Sequence, residues 1–458
     1  MIHFYKNKRI YRLPLLCIFA LISAQPLYSN AKDPDFGLAA QPSLFFQSAA
    51  ALQLLLEKLV LEHPQVKSQW QTVQAAGLQT RIAQQAYWPT PSVSIERAQS
   101  HPPDPSYAGS PQVLTFKVHQ ALWTGGRLTA QSDKAEAMQG LEQARLAEVQ
   151  QGLAIQTIQA WAELVSAQRQ QVVLRNSQAI QSELLSKMMR RVDQGLSSRS
   201  EAHYAQLRLL QAGQALSDAQ QQESRAWVRL QQWIPNVANM GFKLQSANDR
   251  ETQAHLSQLL TANESISLAD WELRSLAQSP VLQRLRMVLQ VQLAELAEKR
   301  AALQPEVYVR AEHPRGHYAY ANVPPTNRVF IGLTASTGAG FSLVHQLAAL
   351  QVKRNSTLEE IEAAQRSVIE SVQTEYINAI ASKSKLAALR LNLESSQELQ
   401  LAWERQFING KKSWIDVMNA ARETAQAELA IVSNDMALLQ TYWRLHILAH
   451  GVSGWGAP

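Results

Sequence analysis

The chain has 458 residues, with 43 Lys and Arg against 37 Asp and Glu, 46% hydrophobic residues and one cysteine. A single cysteine excludes a disulfide framework. Four of the cations, Lys6, Lys8, Arg9 and Arg12, lie ahead of an apolar run; without that segment the net charge falls from +6 to about +2, and the support for nucleic-acid binding falls with it.

The apolar run Leu13 to Ala24 ends before Ser29-Asn30-Ala31, which reads as a secretory signal peptide over residues 1–31. At about a dozen residues it is short of the roughly 20 that a spanning helix needs. Cys17 lies inside it after Leu15-Leu16 and does not read as a lipid-attachment cysteine. A first structural repeat is expected over 32–234, a connector over 235–265, a second repeat over 266–451 and a short tail over 452–458.

Helical pattern runs from Ser48 to Tyr87 with an interruption at Pro64, and Trp88-Pro89-Thr90-Pro91 forces the chain to become extended. Alternation then predicts strands around Pro91 to Ile95 and Leu114 to His119, joined by a turn-rich loop. From Gly126 to Val192 no proline occurs, which predicts one helix of about 100 Å, followed by a return helix from Ser200 to Trp233. The plan recurs: helix over Ser267 to Leu303 interrupted at Pro280, strands over Glu306 to Glu312 and Arg328 to Ala335, a long helix over Ser342 to Phe407, and a return helix over Ser413 to His450.

The punctuation repeats at a fixed offset. Pro91 and Pro305 differ by 214 positions, and Gly195 and Gly410 by 215, so each half is expected to be one copy of a structural unit. Apolar residues at three and four spacing, such as Leu358, Ile361, Val368, Val372 and Tyr376, form a packing stripe that needs neighbouring helices to cover it. Four strands of about 7 to 10 residues are long enough to cross an outer membrane when tilted, but cannot close a barrel alone. Open edges are not tolerated in lipid, so spanning strands would require other chains, and a trimer would supply twelve. A soluble four-stranded sheet is the alternative.

No catalytic signature is present: Gly-x-Ser-x-Gly, His-Glu-x-x-His and Cys-x-x-Cys are missing, and Gly410-Lys411-Lys412-Ser413 is not a phosphate loop. His446 with His450, and His313 with His317, each lack a third metal ligand. The expectation is therefore no enzyme, no cofactor and no metal. Ser198-Arg-Ser-Glu201 and Ser413-Trp-Ile-Asp416 read as helix-capping boxes. Trp161, Trp227 and Trp403 sit at packing spacing, whereas Trp88 and Trp123 fall where helix meets strand, the level of an aromatic membrane girdle.

Leu122-Trp123-Thr124-Gly125-Gly126-Arg127, with the turns Arg191-Val-Asp-Gln-Gly195-Leu196 and Phe407-Ile-Asn-Gly410, resembles the TolC family of outer-membrane export channels. The resemblance extends from about residue 48 to 451. It implies a mainly α fold with a small β part: a homotrimer whose duplicated helical hairpins form an α-barrel through the periplasm and whose strands share a 12-stranded β-barrel in outer-membrane lipid. The implied role is passive export in a tripartite efflux or type I secretion system, with a periplasmic adaptor and an inner-membrane pump or ABC transporter as partners. A soluble periplasmic coiled-coil scaffold or adaptor is the alternative.

By the same resemblance Gly195, Leu196 and Gly410 dock the adaptor, Asp416 lines the periplasmic entrance, and Glu201 lies on the other hairpin farther from the axis. Phe407 and Lys412 stand where the family has a gating tyrosine and arginine; Phe has no hydroxyl to donate and Lys no planar fork. The family's neighbouring acidic position is Asn419. The second strand-to-helix passage, Gly338-Ala-Gly340, departs from Gly-Gly-Arg and is similar to members linked to type I secretion of large adhesins.

Overall fold

A computed structural model describes residues 56, 62–97, 110, 112–233, 267–316, 327–335, 340 and 342–452. The signal peptide, the connector 235–265, His317 and Gly338 lie outside the described residues. The elements belong to one compact unit, Leu44–Pro458. They are α1 (Pro64–Gln85), β1 (Thr90–Arg97), β2 (Gln112–Trp123), α2 (Arg127–Asp193), α3 (Arg199–Trp233), α4 (Leu268–Gln278), α5 (Pro280–Ala301), β3 (Glu306–Arg315), β4 (Arg328–Thr334), α6 (Ser342–Ile408) and α7 (Trp414–His450).

Both prolines that read as interruptions prove to be helix starts. Pro64 occupies the first turn of α1, where its missing N–H is not needed, and His63 caps it by accepting the Gln65 N–H at Nδ1. Pro280 does the same for α5, with Ser279 the single residue separating it from α4. The long helices α2 and α6 each run 67 residues, about 100 Å. The main difference from expectation is β2: it spans 12 residues, because its ladder with β3 continues past His119 and through an irregularity between Ala121 and Trp123.

Helix α2 is the axis of the helical layer. It packs against α1 and α5 towards the sheet and against α3 and α7 towards the hairpin turns, while α6 packs on α5, α4 and α7. The result is a ribbon with α1 and α3 along one edge and α6 along the other. Burial follows this order: twenty residues of α2 are buried but only four of α6, Leu343, Thr357, Val372 and Ala379. The stripe read from the sequence is thus only partly covered: Val372 is buried while Leu358 stays exposed, and Ile377 and Leu391, outside the stripe, are exposed as well.

The main core lies at mid-length. Ile158, Trp161 and Leu164 of α2 meet Leu438, Leu445 and Ile447 of α7, Leu230 of α3 and Trp271 of α4. Each fully buried large apolar side chain contributes about 1.5–3 kcal/mol. Beside this core Arg169 of α2 and Asp435 of α7 form an ion pair at 3.3 Å, with only 4% and 1% of their side chains exposed.

The C-terminal end of α7 adds an aromatic and histidine cluster. The His446 and His450 rings stack 4.5 Å apart, Trp271 meets His450 edge-on, and Arg274 Nη1 lies 3.3 Å from His450 Nε2. Burial, with a smaller contribution from His450, pushes His446 down from 6.5 to about 4. Between these values the unfolded chain takes a proton that the folded chain refuses, so stability present above 6.5 is lost as pH falls towards 4. Thermal unfolding at pH 7 and 4.5 should show a loss of up to about 3 kcal/mol, most of which His446→Gln removes. An unchanged pH slope in that variant would place the acid sensitivity elsewhere.

The four strands form one antiparallel sheet in the order β1-β2-β3-β4. Register places Val93, Phe116, His313 and Ile95, Leu114, Arg315 in cross-strand rows, with Val309 opposite Ile331. Val93, Ile95, Phe116, Val118, Val329, Ile331 and Leu333 therefore share one face, and all are exposed. The other face carries Ser92, Ser94, Thr115, Lys117, His119, Arg310 and Glu312, with the Arg310 guanidinium 4.8 Å over Phe330 and paired to Glu312 at 3.0 Å. The substantial contacts of each described strand are with other strands, so no helix among the described residues covers the apolar face.

Candidate functional site: the sheet faces and the hairpin tips

Strand passes to helix at Thr124-Gly125-Gly126-Arg127, where a side chain on Gly125 would put its Cβ 2.3 Å from Gln304 Cβ. Arg127 then pairs with Glu306 of β3 at 2.8 Å and so ties the first passage to the second half of the chain. The motif was visible in the sequence; its partner, 179 positions away, was not. Trp88 and Trp123 both project at the helix-side end of the sheet, 72% and 47% exposed, at the lower limit of the apolar face.

At the opposite end of the ribbon the two hairpins turn in the same way. Leu196 N–H donates to Arg191 O and Gly195 N–H to Val192 O, at 2.8 and 2.9 Å. Lys411 N–H donates to Gln406 O and Gly410 N–H to Phe407 O, both at 2.9 Å. This double bond to the last carbonyls needs a left-handed residue, and Gly195 and Gly410 supply it with φ of 71° and 70°. The residue after each glycine points outward, apolar Leu196 in one turn and cationic Lys411 in the other.

The helix restarts are capped as their sequences suggest. Asp416 N–H donates to Ser413 Oγ at 3.2 Å and Ser413 N–H to Asp416 Oδ2 at 3.3 Å. Glu201 and Ser198 make the equivalent pair in the first hairpin, at 3.3 and 3.0 Å. The Ser413 hydrogen bond, assisted by Lys412 with its Nζ 4.0 Å away, holds the Asp416 carboxyl below its ordinary value. Asp416 and Glu201 sit on different hairpins.

Beneath the turns lies a second core that joins the hairpins: Leu184 and Met188 of α2, Ala202 and Ala205 of α3, Trp414, Val417 and Met418 of α7. Phe407 packs against Trp414 with centroids 4.7 Å apart and the rings tilted by 52°, and the Arg191 guanidinium lies 4.8 Å over the Phe407 ring, from the other hairpin. Lys412 Nζ covers Trp403 at 4.2 Å. Arg208 of α3 donates to Tyr204 Oη and, at 3.1 Å, to Asn419 Oδ1 of α7. Sequence reasoning missed Arg191 and Arg208. Tyr204 and Arg208 are one turn apart, which was legible, but nothing local pointed to Asn419 or Phe407 as cross-hairpin partners.

The metal reading of the histidines gains no third ligand: no group of three His, Cys, Asp or Glu suited to a metal occurs among the described residues. Among the described residues no helix is long and apolar enough to cross a membrane. The sheet is the element with an outward apolar face.

A small sheet with one apolar exposed face, continued into helices of about 100 Å, defines a subunit of the outer-membrane channel class. The family model described as outer membrane efflux protein matches residues 55–236 and 271–449, and the chain belongs to that family. It is accordingly an outer-membrane protein with a long periplasmic helical extension. Among solved structures the fold is similar to CusC, with a TM-score of 0.73 at 13% identity over 90% of this chain and 95% of that one. It is also similar to the CmeC outer-membrane channel of Campylobacter jejuni, with a TM-score of 0.71 at 13% identity over 88% and 86%. VceC of Vibrio cholerae gives 0.69 at 13% identity over 87% and 96%. No curated protein sequence matches significantly.

Proposed function

We propose that three copies close into a passive export channel, the outer-membrane exit of a tripartite efflux or type I secretion system. The observation that carries this is the shared order of the two layers. The sheet leaves β1 and β4 as open edges, and the helical ribbon leaves α1 and α3 on one side and α6 on the other. Both layers start with the first half of the chain and end with the second, so one rotation can join β4 to the next β1 and α6 to the next α1 and α3. The exposed Val352, Ile377 and Leu391 on α6, with Trp70, Leu78 and Leu210 on the other edge, supply apolar surface for that joint. Twelve strands then enclose the polar face and present the apolar face to lipid.

A soluble scaffold would leave the apolar sheet face in water, which argues against the alternative. Membrane fractionation followed by a mass measurement in detergent tests the reading: a trimer in the outer-membrane fraction is expected, and a soluble periplasmic monomer would overturn it. Energy comes from an inner-membrane pump or ABC transporter, through an adaptor that meets the turns at Gly195, Leu196 and Gly410.

The tip then holds the entrance. Phe407 is kept in place by Trp414 of its own hairpin and by Arg191 of the other, and Lys412 by Trp403 of its own, so one cation–π contact links the hairpins at Phe407 and the remaining contacts brace the second hairpin itself. Three Asp416 carboxylates around a constriction favour cations. Asp416→Asn should reduce cation preference and weaken block by multivalent cations in planar bilayers, while Glu201→Gln changes conductance little. Because the Asp416 carboxyl is held below its ordinary value, the wild-type preference should persist in mild acid. Equal selectivity of wild type and Asp416→Asn would leave Asp416 with its capping role alone.

A further inference from the structure

The apolar sheet face does not stay apolar to its end. The register that places Val93, Ile95, Phe116 and Val118 on it also places Arg97 at the end of β1 and Arg315 at the end of β3 on the same face. Both are exposed, and among the described residues neither is in an ion pair. Every acidic residue of the strands, Glu96, Glu306 and Glu312, falls on the opposite face. Among the described strand residues the outward face therefore carries two cations and no counter-charge, at the end farthest from the helices.

Distance along the strands says what surrounds these cations. From Thr90, two residues after Trp88, to Arg97 is seven residues, about 23 Å of strand; at a tilt of roughly 40° this rises about 18 Å above the start of β1. From Val307 to Arg315 the same estimate gives about 21 Å. Outer-membrane barrels carry an apolar band about 25 Å tall. With Trp88 and Trp123 at the periplasmic boundary, Arg97 and Arg315 reach the headgroup level of the outer leaflet, which in such a membrane is built of phosphorylated glycolipid.

We propose that Arg97 and Arg315 form a binding girdle for the phosphate groups of outer-leaflet glycolipid. Guanidinium groups suit the task, because their planar fork binds phosphate with two parallel hydrogen bonds and they are easily desolvated at an interface. Arg97 stands on β1 and Arg315 on β3, two strands apart and staggered by two residues, about 12 Å in all. Closure of three chains continues the alternation, so six guanidinium groups encircle the barrel at that spacing. His313, on the same face and bonded at Nδ1 to Asn327 Oδ1 at 2.6 Å, fixes the end of β3 against the neighbouring segment. The site rests on the channel reading above.

The test is lipid retention by the full-length protein purified from membranes in mild detergent. Wild type should retain phosphorylated glycolipid, measured as lipid phosphorus per chain, and an Arg97→Lys/Arg315→Lys double variant, which keeps the charge without the planar fork, should retain an intermediate amount. Arg97→Gln/Arg315→Gln should retain at least about five-fold less, while Arg328→Gln on the inner face matches wild type. Adding the bisphosphorylated glycolipid should raise the thermal midpoint of delipidated wild type and not of the double Gln variant; inorganic phosphate at equal concentration should raise neither. Equal retention by the Gln variant, with its trimer mass intact, would overturn the girdle. So would a midpoint shift reproduced by inorganic phosphate, which would reduce it to a generic anion site. Wild-type protein recovered as a soluble monomer would overturn the channel reading itself and the girdle with it.

Discussion

Arginine in place of Ile331 is expected to destabilise the membrane-embedded protein by about 2–4 kcal/mol per chain, the cost of a cation at the middle of the lipid-facing band. Ile331 is the central residue of β4 and 78% exposed, with Val309 as its cross-strand neighbour on the same face. Ser92→Arg introduces the same charge on the polar face and should cost little, since that side chain reaches water inside the barrel. Urea unfolding of the two variants in lipid vesicles reads the difference directly. Equal losses would mean that the faces are assigned wrongly, and the barrel model would fall with them.

Breaking the Arg169–Asp435 pair should be the most damaging change in the helical layer. Arg169→Met leaves the Asp435 carboxylate 1% exposed without its guanidinium partner, which costs about 3–5 kcal/mol. Replacing both members, Arg169→Met with Asp435→Leu, should recover most of the loss, because an apolar pair of similar volume needs no desolvation of charge. Thermal unfolding of the purified protein in detergent gives both numbers. A double variant no more stable than Arg169→Met would show that the pair is needed for more than charge balance.

The helical layer was legible because proline, glycine and capping residues mark its ends. The expected start at Ser48 lies outside the described residues; the other helix bounds fall within a residue or two of expectation, and α2 and α6 are interrupted nowhere. The interruptions read at Pro64 and Pro280 are real breaks, and the caps His63 and Ser279 show that a new helix opens at each proline. The extra length of β2 was hidden because Gln120 and Ala121 carry no alternation to report. At the tips, composition announced Asp416, Glu201 and the two glycines. The partners of Phe407 and Asn419 depend on how one hairpin lies on the other, a long-range matter that no local spacing encodes.

The two tip turns have the same backbone and different faces. In the proposed trimer six such turns, alike in their backbone hydrogen bonds, would alternate between apolar Leu196 and cationic Lys411. A partner made of six identical subunits would then be in two energetic environments at once, with salt weakening every second contact and leaving the others almost unchanged. Dissociation from such a ring should proceed in two stages as ionic strength rises, three subunits loosening before the remaining three.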